Sequence, residues 1–223
     1  MGVHDGEQLL YFDLMCHSGT LLALIWFLRK DILDILRNWK AIALFTLALL
    51  PLVPAYFLLK PLRMAASDPA YLGYFLMFTA LLLFLASKKR EVKDHEVKIK
   101  DVICIGLMQT MALLPGISRS GSTIAAARFL GWDWVAAARF SFLLAIPAVL
   151  GGQALETLKL IRGSSEGAMG VSIGCYAAGF CTSFAIGLIG VHFIFWIYER
   201  GIVRPFAWYC LAAGIFALWA LHG

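Results

Sequence analysis

Long apolar runs separated by short polar connections dominate this chain of 223 residues. Most of the runs are long enough to cross a bilayer as helices, because a span needs about 20 residues at about 1.5 Å each. The runs cover residues 9–28, 41–59, 71–87, 102–114, 134–155, 171–197 and 206–221. The pattern predicts an all-α integral membrane protein, a polytopic helical bundle.

The run at 102–114 is the exception, because its helix would reach only about 20 Å into a core about 30 Å thick. A Leu-Pro-Gly sequence ends it, the polar run 118–123 follows, and a second short apolar piece covers 124–130. Two half-helices that meet at a Gly/Ser-rich break are typical of a discontinuous or re-entrant element. We predict such a broken element at 102–131.

Composition and charge strengthen the membrane assignment and add an orientation. The chain is 61% hydrophobic and 15% charged, which excludes a soluble enzyme and a disordered chain. Connections 29–40 and 88–101 carry four and six Lys or Arg residues, whereas 60–70 carries two. The positive-inside rule therefore predicts that the first and third connections face the cytoplasm. The net charge of +5 indicates orientation and anionic headgroups, and no nucleic-acid partner.

Arg119 needs an explanation, because an arginine at the centre of a bilayer costs about 2.5–3.5 kcal/mol. Its planar fork of donors suits phosphate oxygens, and amides at a helix start also point at anions. Its neighbours are small or hydroxylic: Gly116, Ser118, Ser120, Gly121, Ser122 and Thr123. These residues predict a phosphate or pyrophosphate site. The alternative is that the small residues serve close helix packing alone.

The sequence LPGISRSGST at 114–123 resembles the second signature, loosely L-x-P-G-x-S-R-S-G-x-T, of the undecaprenyl-diphosphate phosphatase (bacitracin-resistance) family. Two further segments resemble helices of that family. They are FSFLLAIP at 140–147 and FDLMCHSGTLLA at 12–23. The likeness runs from about residue 8 to the C-terminus.

This resemblance implies hydrolysis of undecaprenyl diphosphate to undecaprenyl phosphate and inorganic phosphate. That reaction recycles the lipid carrier of cell-wall synthesis and gives bacitracin resistance, at a bacterial inner membrane. The resemblance also implies a divalent cation, Mg²⁺ or Ca²⁺. It assigns Arg119 as the diphosphate clamp with Ser118 and Thr123 beside it as catalytic residues. The residues that shape the substrate pocket would be Gly116, Ser120, Gly121 and Ser122.

His17 is a further candidate, because it lies four residues after Asp13 and so shares a helix face with it. We predict that His17 contributes to substrate binding. The alternative is a structural hydrogen-bonded pair inside the bundle. The expected partners are the polyprenyl diphosphate and membrane lipids, and a homodimer is left open.

The domain organisation that the resemblance implies is one polytopic domain over 1–223, built from two inverted repeats. Residues 1–87 would form a partial first repeat and 102–223 the second. The family's first signature, E-G-x-T-E-F-L-P-x-S-S-x-G-H, would lie upstream of Phe12 and supplies the catalytic and metal-binding side chains, so nucleophile and metal ligands stay unassigned here. We expect a start further upstream. The alternatives are a truncated non-catalytic relative, or a transporter or flippase for an anionic lipid, because transporters also hold anions at broken helices.

Overall fold

The computed structural model describes residues 3–88, 97–163 and 173–222, and this part of the chain is helical, without a strand. This confirms the predicted all-α class. The helices are α1 Val3–Phe27, α2 Arg29–Arg37, α3 Trp39–Leu49, α4 Leu52–Leu58, α5 Lys60–Ala66, α6 Leu72–Ala86, α7 Ile99–Met111, α8 Arg119–Phe129, α9 Trp134–Gly163, α10 Ile173–Glu199 and α11 Arg204–His222, with a short 3-10 turn at Pro69–Tyr71.

Five helical segments in the described part are long and apolar enough to cross a membrane, and a sixth if α1 and α2 count as one bent span. The five are Trp39–Leu58, Pro69–Ala86, Trp134–Leu155, Ile173–Glu199 and Arg204–Leu221. They match the long apolar runs and confirm a multi-pass membrane protein. The short run at 102–114 is not among them, because it forms the 13-residue α7.

The first basic connection is a helix, which the expectation of a simple connection at 29–40 missed. Helix α2 continues from α1 after a bend of 69°. Its sequence, RKDILDILR, alternates charged and aliphatic residues at helical spacing and so makes an amphipathic helix. Such a helix is suited to the membrane surface. Most of the third connection, residues 89–96, lies outside the described residues.

The described chain divides into two compact units. The first contains residues Met1–Asp34 and Ala145–Ile194. Within it α1 lies directly against α10, because a Cβ on Gly19 would overlap the carbonyl oxygen of Phe180. A Cβ on Gly187 would lie 3.0 Å from the Cβ of Ala23, one further contact along the same seam. Small residues allow this close approach where lipid supplies no hydrophobic drive between helices.

The second unit contains residues Ile35–Leu144 and Phe195–Gly223. Helix α6 packs on α8 and α11, and α7 packs between α8 and α3. From Gly121 to Arg128 every residue of α8 is buried. Helix α8 is therefore surrounded by protein, and protein surroundings are the setting in which a membrane protein tolerates a non-helical break. The two units do not follow the predicted repeats, whose boundary stays a prediction.

The five cysteines are free thiols, and none of them is buried. Because they are scattered through apolar runs without a Cys-x-x-Cys pair, the cysteines would be expected to be small buried side chains, and that expectation is wrong. Cys175 and Cys181 are exposed and the other three are half-buried. An exposed apolar position in a membrane helix faces lipid, so burial in protein is not needed to shield a thiol there.

Candidate active site

The break predicted at 102–131 is present in the second unit as a turn between α7 and α8. Helix α7 ends at Met111 and α8 begins at Arg119. The turn is held locally by backbone hydrogen bonds, among them one of 3.2 Å from the Ile117 N–H to the Leu114 carbonyl oxygen. Because α7 and α8 pack on each other, the two half-helices form a hairpin with residues 114–118 at its tip.

Gly116 fits the tip against α6 for two independent reasons. Its φ is +93°, in the left-handed region that favours glycine. A Cβ there would also lie 3.0 Å from the Cβ of Phe75 and 3.1 Å from the carbonyl oxygen of Leu72. The space beside Gly116 is therefore filled by α6. Its predicted contact with substrate stays a prediction.

Thr79 of α6 fastens the tip, and no sequence pattern pointed to it. Its side chain is fully buried. Oγ1 accepts a hydrogen bond of 3.1 Å from the Ser118 N–H and lies 3.2 Å from the carbonyl oxygen of Gly116, to which it donates. Thr79 Oγ1 also lies 3.1 Å from the carbonyl oxygen of Phe75, one turn earlier in α6, which is a second acceptor for the same proton. A single hydroxyl in an apolar helix thus satisfies two backbone groups of the break.

Three consecutive polar residues, Ser118 to Ser120, begin α8, and we name them the SRS segment. Ser118 is the N-cap, and its Oγ accepts from the Gly121 N–H at 3.1 Å. The hydroxyls of Ser118 and Ser120 are 3.4 Å apart. All three residues of the segment are half-buried. A guanidinium, two hydroxyls and the positive end of a helix dipole meet here, which makes the segment suited to an anion.

The next three residues, Gly121 to Thr123, are fully buried, and we name them the GST segment. A Cβ on Gly121 would lie 3.1 Å from the Ser118 Oγ. The Ser122 hydroxyl donates to the Ser118 carbonyl oxygen at 2.9 Å. Thr123 Oγ1 lies 2.9 Å from the Arg119 carbonyl oxygen and 2.6 Å from the hydroxyl of Ser141 in α9.

The two segments of the motif therefore differ in where their hydroxyl groups are used. The GST segment uses its hydroxyls within the protein, as the packing alternative expects. The half-buried SRS segment retains the chemistry that the anion interpretation needs. The predicted roles of Ser122 and Thr123 toward substrate stay predictions. Ser141, a buried partner of the motif, belongs to the FSF sequence, but no sequence pattern predicted that it would contact the motif.

His17 lies on α1, in the other unit, where it shares a helix face with Asp13 as its spacing predicted. Its Nδ1 is 3.3 Å from the Asp13 Oδ1. The side chains are 58% and 65% exposed, so this is not a pair inside the bundle. A role for His17 in substrate binding stays a prediction.

The described side chains provide no ligand set for the implied divalent cation. Among them there is no group of three His, Cys, Asp or Glu that could hold a metal ion. Diphosphate binding by the SRS segment can be derived without such a group, and dependence on Mg²⁺ or Ca²⁺ stays a prediction.

Comparison with known proteins gives one consistent result. The model of the bacitracin resistance protein BacA family matches residues 1–216. The undecaprenyl-diphosphatase of Protochlamydia amoebophila is 39% identical over 216 residues, which cover 96% of this chain and 84% of that protein. The undecaprenyl-diphosphatase of Geobacter metallireducens is 36% identical over 233 residues, covering 93% and 82%. That of Geotalea daltonii is 34% identical, covering 95% and 84%.

Proposed function

Because the chain belongs to the bacitracin resistance protein BacA family, we propose that it hydrolyses undecaprenyl diphosphate to undecaprenyl phosphate and inorganic phosphate. The observation that carries the proposal is the half-buried SRS segment at the tip of the α7–α8 hairpin. The segment combines a cationic side chain and a helix N-terminus within a multi-pass membrane protein. A lipid-linked diphosphate is an anion that such a protein meets in the membrane. We further propose that this membrane is the bacterial inner membrane.

The diphosphate would bind at the start of α8. The guanidinium of Arg119 can hold two phosphate oxygens at once, because its donors form a planar fork. The first-turn amides add partial positive charge, and the hydroxyls of Ser118 and Ser120 can each donate to a remaining oxygen. These interactions are stronger than they would be in water, since the half-buried segment is partly shielded from solvent.

In phosphoryl transfer the main contribution of a protein is to stabilise the negative charge of the transition state. A water oxygen forms a new bond to the terminal phosphorus, the bond from that phosphorus to the bridging oxygen breaks, and the electron pair stays with the lipid phosphate. Positive groups already in position lower the barrier because they need no reorganisation as charge moves. Arg119 is the residue of the described site that performs this role. The groups that activate the water and protonate the leaving oxygen are not assigned.

The test is phosphate release from undecaprenyl diphosphate in mixed micelles. The Arg119→Ala variant should release phosphate about 10²–10³ times more slowly, the usual effect of removing one preorganised donor. Arg29→Ala is the matched control, since Arg29 is an exposed arginine that stacks on Trp26 at 5.0 Å. Its rate should equal that of the unaltered chain. Absence of release from the unaltered chain overturns the proposed function, and unaltered release from Arg119→Ala removes Arg119 from it.

Cation dependence is tested in the same assay. Excess EDTA should abolish release, and Mg²⁺ or Ca²⁺ added back should restore it, because a bound cation would share the neutralisation of the diphosphate with Arg119. Full activity in EDTA contradicts the cation prediction and leaves the proposed hydrolysis intact.

A further inference from the structure

A second concentration of positive charge lies at the other end of α8 from the SRS segment. There the second unit contains a cavity of about 480 Å³. Its walls come from the end of α6 at Ser87 and Lys88, from Arg128 near the end of α8, from Trp134 at the start of α9, and from the turn into α11 at residues 201–205. Arg119 and Arg128 are nine residues apart on one helix, which separates the two regions by about 14 Å.

The wall of this cavity is built by close contacts among its own residues. Gly201, with φ +66°, ends α10 by a hydrogen bond of 3.0 Å to the Tyr198 carbonyl oxygen. The N–H of Ile202 reaches back to the Ile197 carbonyl oxygen at 3.1 Å, so the two bonds close the helix end. The ring of Trp134 stacks on that of Tyr198 with centroids 6.0 Å apart. These contacts fix the part of the wall formed by Trp134 and the turn at 201–202.

Among the residues that the structure describes, the lining of this cavity contains basic side chains and no acidic one. Its charged lining residues are Lys88, Arg128 and Arg204. Arg128 is buried, donates to the Trp132 carbonyl oxygen and lies with Cζ 4.5 Å from the centre of the Trp134 ring. Lys88 and Arg204 are exposed and can turn toward a ligand.

Asp133, the acid that directly precedes Trp134 in the chain, is a helix cap. The carboxylate of Asp133 accepts from the N–H groups of Val135 and Ala136 at 2.8 and 2.9 Å and so caps α9. Helix α11 begins at Arg204, and the preceding Val203 has no side-chain oxygen to cap it. The positive end of the α11 dipole therefore adds to the charge of the side chains.

We propose that this cavity binds the phosphodiester headgroup of an anionic phospholipid, held by Lys88 and Arg204. The cavity lies where the membrane-spanning segments Pro69–Ala86, Ile173–Glu199 and Arg204–Leu221 end, which is the depth of lipid headgroups. Trp134 and the exposed Ile202 provide apolar surface for the glycerol and upper chains. Basic pockets between spans are recognised headgroup sites, and the charge distribution predicts that this one faces the cytoplasmic leaflet.

The proposal does not depend on phosphatase activity, and lipid binding tests it directly. The purified chain in detergent micelles is titrated with phosphatidylglycerol or phosphatidylcholine, and bound lipid is counted by native mass spectrometry. Phosphatidylglycerol should bind the unaltered chain preferentially. The Lys88→Gln/Arg204→Gln double variant should bind phosphatidylglycerol at least about tenfold more weakly than the unaltered chain, since each basic group near the surface contributes to anionic lipid binding. Arg200→Gln, an exposed neighbour that does not line the cavity, should bind normally.

Two further variants make the outcome decisive. Lys88→Arg/Arg204→Lys keeps both charges and should bind like the unaltered chain, whereas equally weak binding would show disturbed folding and overturn the assignment. Arg119→Ala should keep its phosphatidylglycerol site, and loss of binding there would move the lipid to the SRS segment. If the Gln double variant binds phosphatidylglycerol as tightly as the unaltered chain does, the proposal is overturned. Inorganic phosphate that competes fully at millimolar concentration also overturns it, since the cavity would then be a site for free phosphate.

Discussion

The SRS and GST segments are adjacent in the chain and each carries two hydroxyl side chains, yet they differ in what surrounds those hydroxyls. The hydroxyls of Ser122 and Thr123 point into protein and bond to backbone oxygens and to Ser141. Ser118 and Ser120 remain half-buried beside Arg119. A hydroxyl buried away from water must find a partner in the protein. The GST hydroxyls are thus used within the protein, whereas the SRS side chains stay partly exposed.

The largest expected effect falls on the SRS segment. Arg119→Lys keeps the charge but loses the planar fork, so phosphate release should fall about 100-fold. The free energy of unfolding should change by less than about 0.5 kcal/mol, since a half-buried substitution leaves the turn intact. Phosphate release and unfolding in SDS titrations measure the two quantities. Release as fast as that of the Arg29→Lys control would contradict bidentate binding.

Gly116→Ala should have the largest effect on stability. The positive φ and the contacts with Phe75 and Leu72 together should cost about 2–3 kcal/mol in the free energy of unfolding. Gly151→Ala is the matched control, because a Cβ on Gly151 meets no atom within 4 Å. That control lies inside α9 and should be stabilising by about 0.5–1 kcal/mol. An unchanged free energy of unfolding in Gly116→Ala would show that the tip does not need its contact with α6.

Thr79→Val tests whether α6 holds the hairpin tip. The isosteric change leaves the Ser118 N–H and the Gly116 carbonyl oxygen without their partner and should cost about 1–2 kcal/mol. Phosphate release should fall as well, because the SRS segment loses its support. Thr46→Val is the control, since the exposed Thr46 hydroxyl donates only within its own helix, to Ile42 at 2.9 Å. Equal stabilities of the two variants would contradict the role of Thr79.

Two serines of the motif give the finest test of the difference between its segments. Ser120→Ala should slow phosphate release several-fold, the effect of one neutral hydrogen bond, and leave the free energy of unfolding unchanged. Ser122→Ala should lower the free energy of unfolding by about 1 kcal/mol and leave the rate nearly unchanged, because its hydroxyl serves the Ser118 carbonyl oxygen. If both variants slow release equally, the division of the motif is wrong.

Much of the fold was accessible from the sequence, and the exceptions have physical causes. The long runs became α3–α4, α6, α9, α10 and α11 because apolar length alone decides a span in lipid. The amphipathic α2 was missed because its charges suggest a solvated connection. Thr79 was missed because a lone hydroxyl in an apolar run has many possible roles. Its partners lie 37 and 39 residues away in the chain.

Residue order alone therefore established the membrane class, the broken element and the set of polar residues that it contains. Hydropathy and length are local properties, and lipid imposes them on each segment separately. The tertiary structure decided which of those polar residues are buried and which stay partly exposed, because burial and hydrogen-bond partners depend on which helices pack around α8. Gly116 contacts α6 and Thr123 contacts α9, while the Ser122 hydroxyl binds the Ser118 carbonyl oxygen. The side chains of Ser118, Arg119 and Ser120 stay half-buried.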